Sequence, residues 1–229
     1  MKQAAARILR FFLPAYRFTI GRVVRKLFFL DLISETGNFK DVTWFGQPLW
    51  QNPLDLWTTQ QVITQVKPEL LIEAGTHLGG SAHFYATLMD LLGRGRVITI
   101  DLFYEPEITH ERVTFISGSS TDDAVIQRVR TEVQKTQGPV MVILDSDHKR
   151  DHVAAELAAY GEFVTPGSYL LVQDSIIDEL VPYLRADHPG PLFAIRDFLK
   201  EHAEFVCDDS LSEQFLVSNH PHGWLRRRA

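Results

Sequence analysis

Short apolar runs separated by stretches of helical character constrain this chain more than any other feature, and most of the runs close on an acid. Residues 70–73 (LLIE), 96–101 (RVITID), 113–116, 140–145 (VMVILD) and 168–174 (SYLLVQD) read as strands, short and rich in aliphatic residues as a sheet covered on both faces requires. Residues 81–92, 122–136 and 152–161 read as helices between them. Gly93-Arg94-Gly95 stops the first and Gly161 the last, while Asp122 and Asp123 sit where a helix dipole favours negative charge. Strand and helix in alternation predict a parallel sheet with crossover helices, a doubly wound α/β fold. Late in the chain, residues 192–202 read as a helix, and 205–207 with 214–217 as a closing antiparallel strand pair.

In an open parallel sheet, ligands bind beyond the carboxyl ends of the strands. Here that edge gathers Glu73, Asp101, Asp145 and Asp174. Four carboxylates along one rim repel each other unless something with hydroxyls and positive charge sits among them. The first strand runs into Glu73-Ala74-Gly75-Thr76-His77-Leu78-Gly79-Gly80-Ser81 and then a helix. Gly75 permits a tight turn and close backbone approach, and Gly79-Gly80 let the helix begin near the sheet. The spacing is E-x-G-x-x-x-G, not the G-x-G-x-x-G of a dinucleotide pyrophosphate turn. It fits S-adenosylmethionine, against the plain alternative of a structural glycine turn. Asp101, closing the second strand, is suited to the ribose hydroxyls, and Ser119 and Ser120 after the third strand to the flank of an adenine. The expected cofactor contacts are Glu73, Gly75, Thr76, Gly79, Ser81, Asp101, Ser119 and Ser120.

A second cluster follows the fourth and fifth strands: Asp145-Ser146-Asp147-His148 and Gln173-Asp174. Adjacent strand ends bring Asp145 and Asp174 into one coordination sphere, and hard oxygen donors without thiolate suit Mg²⁺, with Mn²⁺ or Ca²⁺ as alternatives. A metal-bound hydroxyl is more acidic and is fixed in line for methyl transfer. Asp145 and His148 are the expected catalytic residues, His148 as general base or, alternatively, as an outer histidine at a helix start. Asp147 reads as readily as a supporting partner or helix cap as it does as a ligand. His77, His83, His110, His188 and His220 read as packing or loop residues, and Trp44 or Trp50 as an acceptor contact.

Composition bounds the remainder. A chain of 229 residues supports one sizeable domain. A single cysteine, Cys207, excludes a disulfide within the chain and fits a reducing cytoplasm. Net charge is −6, so the body has no electrostatic reason to seek nucleic acid. Residues 1–30 nevertheless carry +7, from Lys2, Arg7, Arg10, Arg17, Arg22, Arg25 and Lys26 with no acid, leaving −13 on the rest. This basic stretch is interleaved with apolar clusters and has no run long enough to span a bilayer. Two readings stand: a helix packed on the domain or a partner subunit, or peripheral contact with an anionic inner-membrane surface. The expected division is a basic extension over 1–39 and one domain over 40–229, with 31–52 as an irregular cap.

The stretches WFGQPLWQNPLDLW (44–57), IEAGTHLGGSAHFYA (72–86), GSSTDDAV (118–125), VILDSDHKRDHVAAEL (142–157), PGSYLLVQDS (166–175) and QFLVSNHPHGWLRR (214–227) resemble the cephalosporin hydroxylase / rhamnosyl O-methyltransferase family over residues 40 to 228. The resemblance implies a class I methyltransferase fold, S-adenosylmethionine, a Mg²⁺ site, O-methylation of a sugar-like or secondary-metabolite acceptor, and a homo-oligomer. It maps Asp145, Gln173 and Asp174 onto the metal ligands and His148 onto the base. Gln173 departs from the pattern, since an amide replaces an acid and one negative charge is lost. Two other classes compete: a non-catalytic accessory protein of this fold, which Gln173 favours, and an oxidoreductase. No 2-His-1-carboxylate set supports the latter.

Overall fold

The computed structural model describes residues 20–31, 41–102, 109–179 and 189–229. In chain order the elements are α1 (Ile20–Leu30), β1 (Thr43–Trp44), β2 (Gln47–Pro48), α2 (Pro53–Val66), β3 (Leu70–Ala74), α3 (Gly80–Leu92), β4 (Arg96–Asp101), β5 (Val113–Ser117), α4 (Asp123–Gln134), β6 (Val140–Leu144), α5 (Arg150–Tyr160), β7 (Tyr169–Val172), a 3₁₀ turn (Ser175–Glu179), α6 (Pro191–Glu201), β8 (Phe205–Cys207), α7 (Asp209–Ser212) and β9 (Trp224–Arg227).

Seven strands form one sheet in the order β5-β4-β3-β6-β7-β9-β8. The first five are parallel, and β9 runs antiparallel to both β7 and β8. Strand order reverses between β3 and β6, which creates the switch-point crevice where doubly wound sheets bind ligands. Both faces are covered, as the uninterrupted aliphatic runs require. Leu70, Ile72 and Ala74 face α4, α5 and α6 through Val129, Leu157 and Ile195. Leu71, Met141 and Ile143 face α2 and α3 through Ile63, Tyr85 and Met89. Each such fully buried aliphatic side chain stabilises by roughly 1.5–3 kcal/mol.

Two features differ from the sequence expectation. Residues 214–217 are not a strand, and the closing antiparallel partner is β9. The chain leaving α7 turns through Gln214 N–H to Leu211 O (3.5 Å), and Leu216 is left-handed at φ +68°, which no strand accommodates. Trp224 and Leu225 are fully buried, whereas within 214–217 only Val217 is buried. Within the stretch read as an irregular cap, β1 and β2 form a small antiparallel hairpin, and α2 begins directly after that stretch, capped by Asn52 through Leu54 N–H at 3.0 Å with Pro53 in its first turn. The Asp187-His188-Pro189-Gly190-Pro191 loop after the fifth strand, which in sequence reads equally as an acceptor lid or a surface turn set by two prolines, falls partly outside the described residues. Its described end, Pro189–Pro191, is pinned to α5 by Arg150 N–H and to the 3₁₀ turn by Asp178.

Candidate active site

The glycine turn lies where the sheet reverses. Gly75 stands at φ +98°, and a Cβ there would lie 1.9 Å from the Asp145 carbonyl oxygen, so only glycine fits. Its N–H donates to Ile100 O on one side, and Asp145 N–H donates to Ala74 O on the other, both at 2.8 Å. Beneath the turn, the fully buried Glu73 accepts from Thr99 Oγ1 at 2.6 Å, and Thr99 in turn meets Thr76 Oγ1 at 2.6 Å. Burial pushes the Glu73 carboxyl up to about 7; the Asp101 charge adds to this, while the Ser81 and Thr99 hydroxyls oppose it. Asp101 Oδ2 accepts the His77 N–H at 2.8 Å and so clasps the turn, which His77 completes at φ +46°. A Cβ on Gly80 would lie 2.1 Å from Pro48 O, so the β1-β2 hairpin sits directly on the start of α3.

From this turn a cleft of about 720 Å³ opens along the strand ends. Its donor end is walled by Gly75, Asp101, Leu102, Gly118, Ser119 and Ser120. Ser119 and Ser120 are held by their own hydrogen bonds. The Ser119 hydroxyl meets that of Thr121 at 2.9 Å. Ser120 Oγ donates to Glu156 Oε1 at 2.5 Å, and its carbonyl accepts from Tyr160 Oη at 2.7 Å. The buried Glu156 also takes Ser146 Oγ at 2.6 Å and faces His152 Nε2 at 3.4 Å. That pairing raises the His152 pKa. One acid on α5 thus ties the β5 and β6 loops together.

At the other end Asp145, His148 and Asp174 place one donor atom each within 4.8 Å of the others. His148 Nε2 is 3.3 Å from Asp174 Oδ2. Burial pushes the Asp145 carboxyl well up, and the charges of Asp174, Glu73 and Glu156 push it further, against one hydrogen bond from Gln51. Asp174 is itself left-handed at φ +55°, a strained position that its neighbours enforce. Its N–H donates to His220 Nδ1 at 3.0 Å, and its Oδ1 accepts from Asn219 Nδ2 at 3.2 Å. Behind them the buried Asp55 accepts from Ser218 Oγ and Asn219 N at 2.6 and 2.7 Å.

Of the residues expected from sequence, Gly75, Asp101, Ser119, Ser120, Asp145, His148 and Asp174 come together in the cleft wall. Glu73, Thr76 and Ser81 are buried behind it, and Gly79, left-handed at φ +81°, caps α3. Gln173 is buried behind the wall too, its Oε1 accepting from Gln51 Nε2 at 2.8 Å, the nitrogen that also reaches Asp145 Oδ2 at 2.8 Å. Trp50 lines the cleft and leans on the His77 ring at 4.4 Å, whereas Trp44 packs on Phe84 away from it. Sequence reasoning missed Gln51, His152, Glu156 and the Asp55–Asn219–His220 support. The only signal for the α5 pair is the i, i+4 spacing of His152 and Glu156.

A seven-stranded sheet of this order, with a glycine turn at its switch point and an acid closing the next strand, defines a class I S-adenosylmethionine-dependent methyltransferase. The family model "Rhamnosyl O-methyltransferase/CmcI" matches residues 36–228, and the chain belongs to that family of O-methyltransferases. It is 33% identical over 191 residues to the rhamnosyl O-methyltransferase of Mycobacterium tuberculosis, covering 81% of this chain and 78% of the relative. To that of Mycobacterium leprae it is 30% identical over 199 residues, covering 84% and 86%. Among solved structures, CmcI with Mg and SAM superposes at TM-score 0.66 with 22% identity, over 87% of this chain and 84% of that one. The MycE methyltransferase with Mg and SAH gives 0.53 at 18%, over 78% and 50%. These two likenesses are of fold.

Proposed function

We propose that the chain transfers a methyl group from S-adenosylmethionine to a hydroxyl of a sugar-like acceptor, with a divalent cation, Mg²⁺ first, held at Asp145 and Asp174. The observation that carries the reading is one cleft whose wall brings Gly75 and Asp101 together with Asp145, His148 and Asp174. The donor set fits a hard cation: two carboxylates crowded together, one of them raised by burial and then by its acidic neighbours, are relieved by positive charge. Such an ion, when bound, supplies the charge that makes an acceptor hydroxyl acidic at neutral pH. The sugar-like acceptor is drawn from the rhamnosyl O-methyltransferase relatives.

The chain's own residues do the rest. Asp101 receives ribose hydroxyls while its Oδ2 keeps the turn closed through His77 N–H. Gly75 brings backbone against the donor. His148 Nε2 stands at the acceptor end and takes the hydroxyl proton as the methyl group transfers. Asn219 and His220 keep Asp174 in its left-handed position, and Gln51 keeps Asp145 turned toward the cleft. Gln173, buried and absent from the cleft lining, stands behind Asp145 and Asp174, so in this reading the two carboxylates carry the cation.

The test is calorimetry with S-adenosylhomocysteine and with Mg²⁺, beside an assay of methyl transfer to a panel of rhamnosides. Asp145→Asn is expected to keep S-adenosylhomocysteine affinity, lose Mg²⁺ affinity and abolish turnover. Turnover that survives both the substitution and exhaustive chelation would refute the metal-assisted reading.

A further inference from the structure

Helix α1 presents its apolar face outward. It is anchored by Phe29, buried against Ile176 and Val217 with Leu54 of α2 alongside. Ile20, Val23, Val24, Leu27 and Phe28 recur at i, i+3, i+4, i+7 and i+8 and form one stripe, yet all are exposed, Val23 by 57% and Leu27 by 60%. At about 100° per residue, the centre of that stripe lies on the side of the helix opposite Phe29. A surface helix ordinarily buries such a stripe.

We propose that this stripe seats on an anionic lipid surface. Charge complementarity selects that occupant. Arg25 and Lys26 flank the stripe within α1, and the whole of 1–30 carries +7 without an acid. A second copy docking stripe to stripe would bring two such segments together and leave their cations unanswered. An anionic bilayer offers both partners in layers, acyl chains for the stripe and headgroups for the cations above it. No helix among the described residues is long and apolar enough to cross a membrane, so the contact is one of lying on the surface. The anchored side of α1 adjoins the catalytic rim: Ile176 lies two residues beyond Asp174, and its N–H donates to the carbonyl of Asn219, which holds Asp174.

The experiment is sedimentation of the full chain with phosphatidylcholine vesicles with and without phosphatidylglycerol, in the absence of donor and acceptor, so that its outcome is independent of methyl transfer. The parent is expected to partition onto the anionic vesicles only, and less at high salt. Val23→Glu with Leu27→Glu is expected to lower partitioning by about tenfold or more, with S-adenosylhomocysteine affinity retained as the sign of an intact fold. Should that variant misfold, Arg25→Gln with Lys26→Gln serves instead and is expected to reduce the preference for phosphatidylglycerol. Absence of parental partitioning, or partitioning that ignores both variants, overturns the proposal. So does a sedimentation-velocity result in which the glutamates split a dimer while the parent never binds vesicles, which would make the stripe an interface between copies.

Discussion

Glu73→Gln gives a pH dependence that can be worked from the structure. Glu73 lies fully buried under the glycine turn, and burial raises its pKa from 4.5 to about 7. The unfolded chain therefore releases this proton at lower pH than the folded one. Between the two values the folded state binds more protons, so stability is intact below 4.5, falls as pH rises toward about 7, and levels off above. At 1.36 kcal/mol per pH unit, the loss across that window is about 3 kcal/mol. The amide cannot ionise, so the substituted protein escapes this loss, and easing of Asp145 acts in the same direction. The amide also alters the hydrogen bond to Thr99, but that offset is the same at every pH. Urea denaturation of the ligand-free proteins is expected to show the variant gaining about 3 kcal/mol on the parent between about pH 4 and about pH 8. In melting temperature the relative gain is roughly 6–12 °C for a chain of this size. A parent–variant difference that stays constant across the range would refute the assignment of a buried, proton-holding Glu73.

Gly75→Ala is expected to cost on the order of 1–3 kcal/mol for the positive φ alone, and more because its Cβ would drive into the Asp145 carbonyl. Thermal denaturation measures the stability cost, and loss of both S-adenosylhomocysteine and Mg²⁺ binding reports the shared wall. Asn219→Ala removes the hydrogen bond to Asp174 Oδ1 and is expected to weaken Mg²⁺ binding by about 10–100-fold while leaving S-adenosylhomocysteine affinity unchanged, as calorimetry will read.

What the sequence determined by itself is local and periodic. Aliphatic runs long enough to be strands, glycines that punctuate helices, and acids at the ends of those runs are read one residue after another. They sufficed for a parallel sheet covered on both faces and for the cleft residues Gly75, Asp101, Asp145, His148 and Asp174. The closing strand was misread because Gln214–Val217 and Trp224–Arg227 both look apolar in part. Only the packing of Trp224 and Leu225 against β7, with Leu216 forced left-handed, separates them. Tertiary structure alone decided which polar residues work from behind the wall. Glu73 stands two residues before the cleft-lining Gly75, yet its side chain is fully buried and held by Thr99. Gln51 meets Asp145 across 94 residues, Asp55 meets Ser218 across 163, and Ser120 meets Glu156 across 36. Such contacts leave no periodic trace, because a hydrogen bond between distant segments constrains where two side chains meet in space and not how they are spaced along the chain.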